Sequence, residues 1–417
     1  MSDHIPVTVL SGTLGAGKTT LLNRVLGGNG GPEVAVLVND VGDVNVDAEV
    51  IERHTGNQEV VELSNGCICC GLQGELEHTV IDLALNHEFE YLLIEPSGIS
   101  EPAPVARQFV EGQPSGLYRL DGVVTVVDAR QFYDAFEEGE PERRGEGDDG
   151  VRPMSDLIVE GVEFCDTLVV NKTDLVSNEE LTAVRSALRT LQPAATLVST
   201  EFGAVDPELI LDTGGFDREG VEGSARWRRQ LEQYEEREHD DTDQDHGETT
   251  HDDTHEDSHE HDHAHPPEVY GVDSFVYHRV EPMHPGRLVE FLENTPESLL
   301  RAKGWLHVAG RPDHALELSL AGREAQVTVA GRWIASLPEK SQEQYRNRRD
   351  PHWTAEYGDR ETKLVVIGRE LDRDRVERRL DTCLLTDSEL TGEDLTLENR
   401  FPDREGNRLH LSAADSA

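Results

Sequence analysis

The chain predicts an α/β fold: a mostly parallel sheet covered by helices, followed by a smaller α+β domain. Three observations carry this. Over residues 1–215, near-continuous apolar strands alternate with amphipathic helices, the pattern of a parallel sheet buried on both faces. Residues 216–267 pass from a helical pattern into "EQYEEREHDDTDQDHGETTHDDTHEDSHEHDHAHPP" at 232–267. That stretch has almost no aliphatic side chain, cannot bury a core and reads as a disordered linker. Over residues 268–395 apolar patterning returns, now with helices to pack on a mostly antiparallel sheet. Residues 396–417 read as a tail.

The elements follow in order. "IPVTVLSG" is a strand, "KTTLLNRVLG" a helix and "EVAVLVND" a strand. "LQGELEHTVIDLALN" has helical spacing, and "FEYLLIEPSG", "GVVTVVDA" and "DTLVVNKTD" are strands. "NEELTAVRSALRTL" is a helix before the strand "ATLVST". Residues 137–152, "EEGEPERRGEGDDGVR", read as a surface excursion. Beyond the linker, "EVYGVDSFVYHRV" is a strand and "HPGRLVEFLENT" a helix. "ALELSLAG" and "EAQVTVAGRW" are strands joined at a Gly-Arg turn, and "TKLVVIGREL" and "DRDRVERRLDTCLL" a strand and a helix. His284, Trp305 and Trp333 read as packing residues, and Cys165 and Cys383 as core.

The formal net charge is −46, and only five lysines are present. A field of that size repels itself at low ionic strength and is largely screened near 1 M salt, where the Debye length is about 3 Å. A salt-accumulating cytoplasm is therefore expected. The same charge excludes nucleic acid and anionic membranes as partners. No apolar run approaches the ~20 residues that span a bilayer, and "MSDHIPVTVLSG" has no basic region, so a cytoplasmic location is expected.

"SGTLGAGKTT" contains G-x-x-x-x-G-K-T from Gly12 to Thr19, after a predicted strand and opening a predicted helix. That context makes it a P-loop. Gly12, Gly15 and Gly17 let backbone N–H groups turn toward phosphates, and the helix N-terminus, with Thr19 and Thr20, adds its positive dipole end. Lys18 is expected at the β- and γ-phosphates and Thr19 on Mg²⁺. "VVNKTDL" places Asn171, Lys172 and Asp174 at the end of another strand. N-K-x-D downstream of a P-loop is a guanine-reading pattern. The Asp174 carboxylate accepts two hydrogen bonds from guanine's N1–H and 2-amino group, which adenine does not offer, so GTP is the expected nucleotide. "STEFGAVD", from Ser199, takes the place of the loop that closes over the base. "YLLIEPSG" ends a strand with Glu95 and brings Gly98 to where an N–H senses the γ-phosphate. Glu95 suits either the Mg²⁺ water shell or orientation of the attacking water. "NDVGDVNVD", with Asp40, Asp43 and Asp47, stands where a first switch loop is expected; the alternative is ordinary solvated turn residues.

"ELSNGCICCGLQGEL" concentrates three of the five cysteines, Cys67, Cys69 and Cys70, in one turn. A disulfide between such close neighbours is geometrically poor. Three cysteines in an Asn-Gly turn are also an odd way to build a core. Metal binding is the expected role, for Zn²⁺ or another borderline-to-soft ion such as Co²⁺, with a carboxylate or histidine to complete the site. Eight histidines lie from His239 to His265. Of these His259, His261, His263 and His265 form the densest group, suited to loose binding of Zn²⁺, Co²⁺ or Ni²⁺, the alternative being a merely solvated acidic linker.

P-loop, C-I-C-C, "IEPSGISEP" and N-K-T-D, in this order, resemble the CobW-type metal-handling GTPases, relatives of the nickel-insertion GTPases. "MHPGRLVEFLE", "LLRAKGWLHVAGRPD", "AGRW" and "LDTCLLTDSEL" resemble that family's C-terminal domain. The resemblance implies that GTP hydrolysis, with Lys18, Glu95 and Asp40 at the catalytic centre, gates metal held by Cys67, Cys69 and Cys70. It also implies delivery of Zn²⁺ or Co²⁺ to a client protein. Where the family has an N-E-x-G-E type segment this chain has "NDVGDVNVD", whose shorter acids keep the charge and change the reach, Asp43 among them as a metal ligand. Two other readings fit the same residues: a metal store or sensor that uses GTP as a conformational ligand, and a factor for cobalt or cobalamin assembly.

Overall fold

The computed structural model describes residues 4–27, 32–38, 60–62, 73–96, 101–136, 143–144, 152–214, 216, 272–349, 353–390 and 398–413. The chain divides into two compact units, one over Met1–Ala225 with Ala321–Glu324, the other over Arg226–Leu320 and Ala325–Ala417.

In the first unit, β1 (Ile5–Gly12), β2 (Val34–Val38), β3 (Val60–Glu62), β4 (Tyr91–Glu95), β5 (Tyr118–Asp128), β8 (Thr167–Asn171) and β9 (Thr196–Ser199) form one seven-stranded sheet. Its order is β3-β2-β4-β1-β5-β8-β9, and every pairing is parallel. All five residues of β2, β4 and β8 are buried, as strands covered on both faces require. The helices are α1 (Lys18–Leu26), α2 (Gln73–Asn86), α3 (Pro102–Gln108), α4 (Ala129–Phe136), α5 (Met154–Glu163) and α6 (Asn178–Leu191). Leu21, Leu22 and Val25 of α1 pack into one core with Leu10, Val36, Leu93, Val124 and Val169 from five strands. Helix α6 matches its sequence reading residue for residue. Ser177 accepts from Glu180 N at 3.2 Å, and Glu180 Oε2 accepts from Ser177 N at 2.6 Å, a closed capping box.

Strand order places the site. β1 lies between β4 and β5; the chain leaves β1 toward β2 on one side and later crosses to β5 on the other. The carboxyl end of β1 is thus the topological switch point, where open α/β sheets bind ligands. The loop after β9 is tied back to the sheet by the fully buried Asp121, which accepts from Tyr91 Oη (2.6 Å), Thr213 N (2.8 Å) and Gly214 N (3.2 Å). Burial and this hydrogen bond to Asp121 push the Tyr91 phenol well above its ordinary pKa. Within the expected excursion 137–152, β6 (Arg143–Arg144) pairs antiparallel with β7 (Arg152–Pro153). The rest of that stretch lies outside the described residues.

The second unit holds a six-stranded sheet ordered β10-β14-β11-β12-β13-β15. The strands are β10 (Val272–Arg279), β11 (Leu299–Leu306), β12 (His314–Ala321), β13 (Glu324–Arg332), β14 (Thr362–Arg369) and β15 (Arg408–Ser412). β14 pairs antiparallel with both β10 and β11. Helices α7 (Pro285–Glu293) and α9 (Arg373–Asp381) pack Leu288, Phe291, Leu292, Val376 and Leu380 against Tyr277, Leu306, Leu316 and Val366 of the sheet. Between these two in the chain, α8 (Glu339–Arg349) is a polar helix. His284 caps α7, its Nδ1 accepting from Gly286 N (3.1 Å) and Arg287 N (3.3 Å). Cys165 and Cys383 are buried, as expected, and burial raises both thiol pKa values, Cys383 to about 11.

One expectation needs correction. Residues 396–417, read as a tail, contribute the edge strand β15, and Phe401, Leu409 and Leu411 join the core of the second unit. Leu409 and Leu411 alternate with Arg408, His410 and Ser412, a half-buried strand too short and polar to stand out in sequence. Among the described residues no helix is long and apolar enough to cross a membrane.

Candidate functional site

The loop from β1 to α1 has the backbone that its glycines predict. Gly12, Gly15 and Gly17 have φ of 140°, 81° and 104°, a region L side chains rarely adopt. Space enforces two of them: a Cβ on Gly12 would stand 2.3 Å from Val126 O, and one on Gly17 2.3 Å from Asn171 Nδ2. Lys18, only 6% exposed, opens α1 with its Nζ 3.3 Å from Thr13 O and 3.6 Å from Glu95 Oε1. Glu95 is equally buried at the end of β4, the strand beside β1. The structure thus brings together the predicted phosphate lysine and the predicted acid. Thr19 is half-buried and Thr20 exposed on the first turn of α1.

At the other end, Asn171 closes β8 and is buried. Its Nδ2 donates to Ala16 O at 2.9 Å, and its Oδ1 accepts from Gly203 N at 2.9 Å. One side chain therefore staples the phosphate loop to the loop after β9. Lys172 follows in a left-handed conformation, φ 57°, and Thr173 donates through N (3.3 Å) and Oγ1 (3.1 Å) to Thr200 O. Asp174 is exposed. Ser199 is less suited to meet a ligand than its sequence position suggests: its Oγ is buried at the end of β9, with no hydrogen-bond partner among the described residues. The exposed residues of that loop include Glu201, Phe202, Ala204 and Asp206, with Phe202 the one aromatic among them.

Sequence reasoning missed Asp128. It ends β5 in register with Asn171 and accepts from Lys172 Nζ at 2.7 Å. Its Oδ1 accepts from Arg130 N (3.0 Å) and Gln131 N (3.2 Å), so it also caps α4. Gln131 in turn accepts from Thr13 Oγ1 at 2.6 Å, a second tie between the two ends of the site. The available signal was an aspartate closing the apolar run "VVTVVD", since such sheets gather function at their strands' carboxyl ends. A small open cleft adjoins the phosphate loop, its lining including Gly12, Thr13, Glu101, Thr125 and Glu160.

Asp40, Asp43, Asp47, Cys67, Cys69, Cys70, Gly98, His259, His261, His263 and His265 lie outside the described residues. Among the described residues no group of three or more His, Cys, Asp or Glu is placed to hold a metal ion.

Residues 6–199 match the family model described as CobW/HypB/UreG, nucleotide-binding domain, and residues 272–384 match the cobalamin synthesis protein cobW C-terminal domain. The chain is 33% identical over 416 residues to zinc-regulated GTPase metalloprotein activator 1 of Dictyostelium discoideum, covering 93% of this chain and 81% of that protein. It is 30% identical over 397 residues to the zinc chaperone CobW of Pseudomonas aeruginosa, covering 91% of this chain and 92% of that one. With both family models in series and relatives at this identity across most of its length, the chain belongs to the CobW/HypB/UreG family of nucleotide-binding proteins, in its CobW branch.

Proposed function

We propose that this chain, a GTPase by its family, is a zinc metallochaperone that loads a client protein in a step gated by GTP. The observation that carries the nucleotide half is the Asn171 staple, which joins the phosphate loop at Ala16 to the loop after β9 at Gly203. On this proposal the staple sets Gly12–Thr20, Lys172 and Asp174 around the nucleotide at the switch point of the sheet. In this reading the N–H groups around Gly15 and Gly17 cradle phosphates, Lys18 neutralises them, and Asp174 reads guanine. The buried Lys18 beside Glu95 fits a site that takes a phosphate-bound cation, and Thr19 and Glu95 would hold Mg²⁺. When bound, the ion supplies charge neutralisation on the phosphates. Asp40 and Gly98 complete the switch segments.

The metal half rests on sequence and relatives. Cys67, Cys69 and Cys70 stand between β3 and α2, in the segment that leads from the sheet edge toward the Glu95 strand. Relatives across most of the chain's length are named a zinc-regulated GTPase metalloprotein activator and a zinc chaperone. Zn²⁺ is the cargo in this reading and Co²⁺ the runner-up, since thiolate ligands alone do not choose between them. The histidines from His259 to His265 act as a loose reservoir of the same ion. In this reading residues 1–215 serve as nucleotide module and 268–395 as CobW-type module, with 216–267 as the tether. The test is metal content of the purified full chain, wild type against Cys67→Ala/Cys69→Ala/Cys70→Ala. Loss of the tightly held zinc equivalent, with GTP turnover retained, supports the reading. Unchanged stoichiometry after dialysis places the cargo elsewhere.

A further inference from the structure

Among the described residues four non-glycine residues have positive φ: Lys172 (57°), Phe202 (52°), Asp212 (53°) and Glu370 (46°). Lys172 and Phe202 sit in two loops bonded to each other. A left-handed backbone is a genuine outlier for a bulky side chain and persists only where its surroundings over-determine it. Here they do. Two residues before Phe202, Thr200 O accepts from Thr173 N and Oγ1. Immediately after it, Gly203 N donates to Asn171 Oδ1 at 2.9 Å, and Gly203 presses so closely on α1 that a Cβ would stand 3.0 Å from Leu21 N. The loop is therefore pinned to Asn171 and Thr173, the two residues that flank Lys172.

The ring itself is held outward. Phe202 is 63% exposed, the side of its loop toward solvent, while its neighbours Thr200 and Gly203 are buried. An exposed phenyl on a pinned backbone, beside the loop that carries Lys172 and Asp174, has a chemical use. A carboxylate reads the edge of a base, and an aromatic ring covers its face, which every base presents.

We propose that Phe202 is the stacking residue of the base site, its ring lying against one face of the guanine whose edge Asp174 reads. This rests on the reading of Asp174 given above and extends it. The two residues have separate roles. Asp174 supplies discrimination between bases, and Phe202 supplies affinity that is blind to which base is bound. Asn171 and Thr173 act as positioning residues for the ring.

The test uses the full chain carrying Phe202→Ala, Phe202→Tyr or Phe202→Trp. Phe202→Ala raises the GDP dissociation constant and the GTP KM by about tenfold, the scale of one lost base–aromatic stack, with the loss falling on KM rather than kcat. Inosine diphosphate, which lacks the 2-amino group, loses affinity by the same factor, and the preference for GTP over ATP is retained. Phe202→Tyr restores wild-type values. In Phe202→Trp, GDP quenches fluorescence beyond the wild-type signal and pyrophosphate does not. Unchanged GDP affinity in Phe202→Ala overturns the proposal, as does an equal loss in Phe202→Ala and Phe202→Tyr, which would make the residue a loop scaffold. Failure of the guanine reading looks different: the wild-type chain would bind ADP as tightly as GDP.

Discussion

Two of the five lysines, Lys18 and Lys172, stand at opposite ends of the nucleotide site, each beside a carboxylate at the end of a neighbouring strand. They are held differently. Lys18 is almost fully buried, yet its Nζ is 3.6 Å from Glu95, beyond a good hydrogen bond, with a 3.3 Å contact to Thr13 O as its other partner. Lys172 is about a third exposed and donates to Asp128 at 2.7 Å from a left-handed backbone. The end proposed for the phosphates thus holds a buried charge on two long contacts. The end proposed for the base is held more tightly, by Asp128, by the Asn171 staple and by Thr173 on Thr200. A hydrolysis cycle needs that asymmetry. In the proposed function the base end keeps the nucleotide through the reaction, while the phosphate end responds to losing a phosphate.

Substitution should separate the two ends, with the largest effect at the loose one. Lys18→Ala removes the cation meant for developing phosphate charge, and kcat/KM for GTP is expected to fall by about a thousandfold in steady-state turnover, with GDP affinity less affected. A loss confined to GDP affinity would make Lys18 a structural partner of Glu95. Gly17→Ala strikes both ends at once, because its φ is 104° and its Cβ would collide with Asn171 Nδ2. It is expected to lower stability by about 1–3 kcal/mol in denaturant unfolding and to abolish nucleotide binding. Normal binding would show that the staple is dispensable. Asp128→Asn keeps an acceptor for the α4 cap and loses the charge-assisted bond to Lys172, so GTP KM should rise roughly tenfold with kcat little changed. An effect on kcat alone would place Asp128 in the chemistry instead.

Salt should change the two ends least, since one pair is buried and the other short, and the whole chain most. Near 1 M KCl the Debye length is about 3 Å, which screens the self-repulsion of a chain at −46. The denaturant midpoint is expected to rise from dilute buffer to molar KCl. Equal or greater stability in dilute buffer would refute the proposal of a salt-accumulating cytoplasm.

Legibility in the sequence follows the same division. The phosphate loop is contiguous from Gly12 to Thr20, so its glycines, lysine and threonine read as one motif. The base end is assembled from residues 128, 131, 171, 173, 200 and 203, of which the N-K-T-D run and, more weakly, "STEFGAVD" announce themselves. Asp128 looks like any turn acid after a strand. Phe202 stands within "STEFGAVD", but nothing in sequence shows that its ring faces outward. In the second unit, β11 is hidden because Arg301 and Lys303 interrupt its apolar pattern, although Arg301 is fully buried. Helix α6 is legible to the residue because its apolar period, Ser177 cap and Glu180 agree with one another.

In the proposed function, metal and nucleotide are coupled through the segment between the switch and the Glu95 strand. Linkage makes this testable in one measurement, because a nucleotide that changes metal affinity must itself be bound differently when metal is present, by the same factor. That measurement is calorimetric titration of zinc into the full chain loaded with GDP and with a non-hydrolysable GTP analogue. Two different zinc affinities are expected, with a difference that disappears in Cys67→Ala/Cys69→Ala/Cys70→Ala. Equal zinc affinity in the two nucleotide states would show that the metal is not gated by GTP.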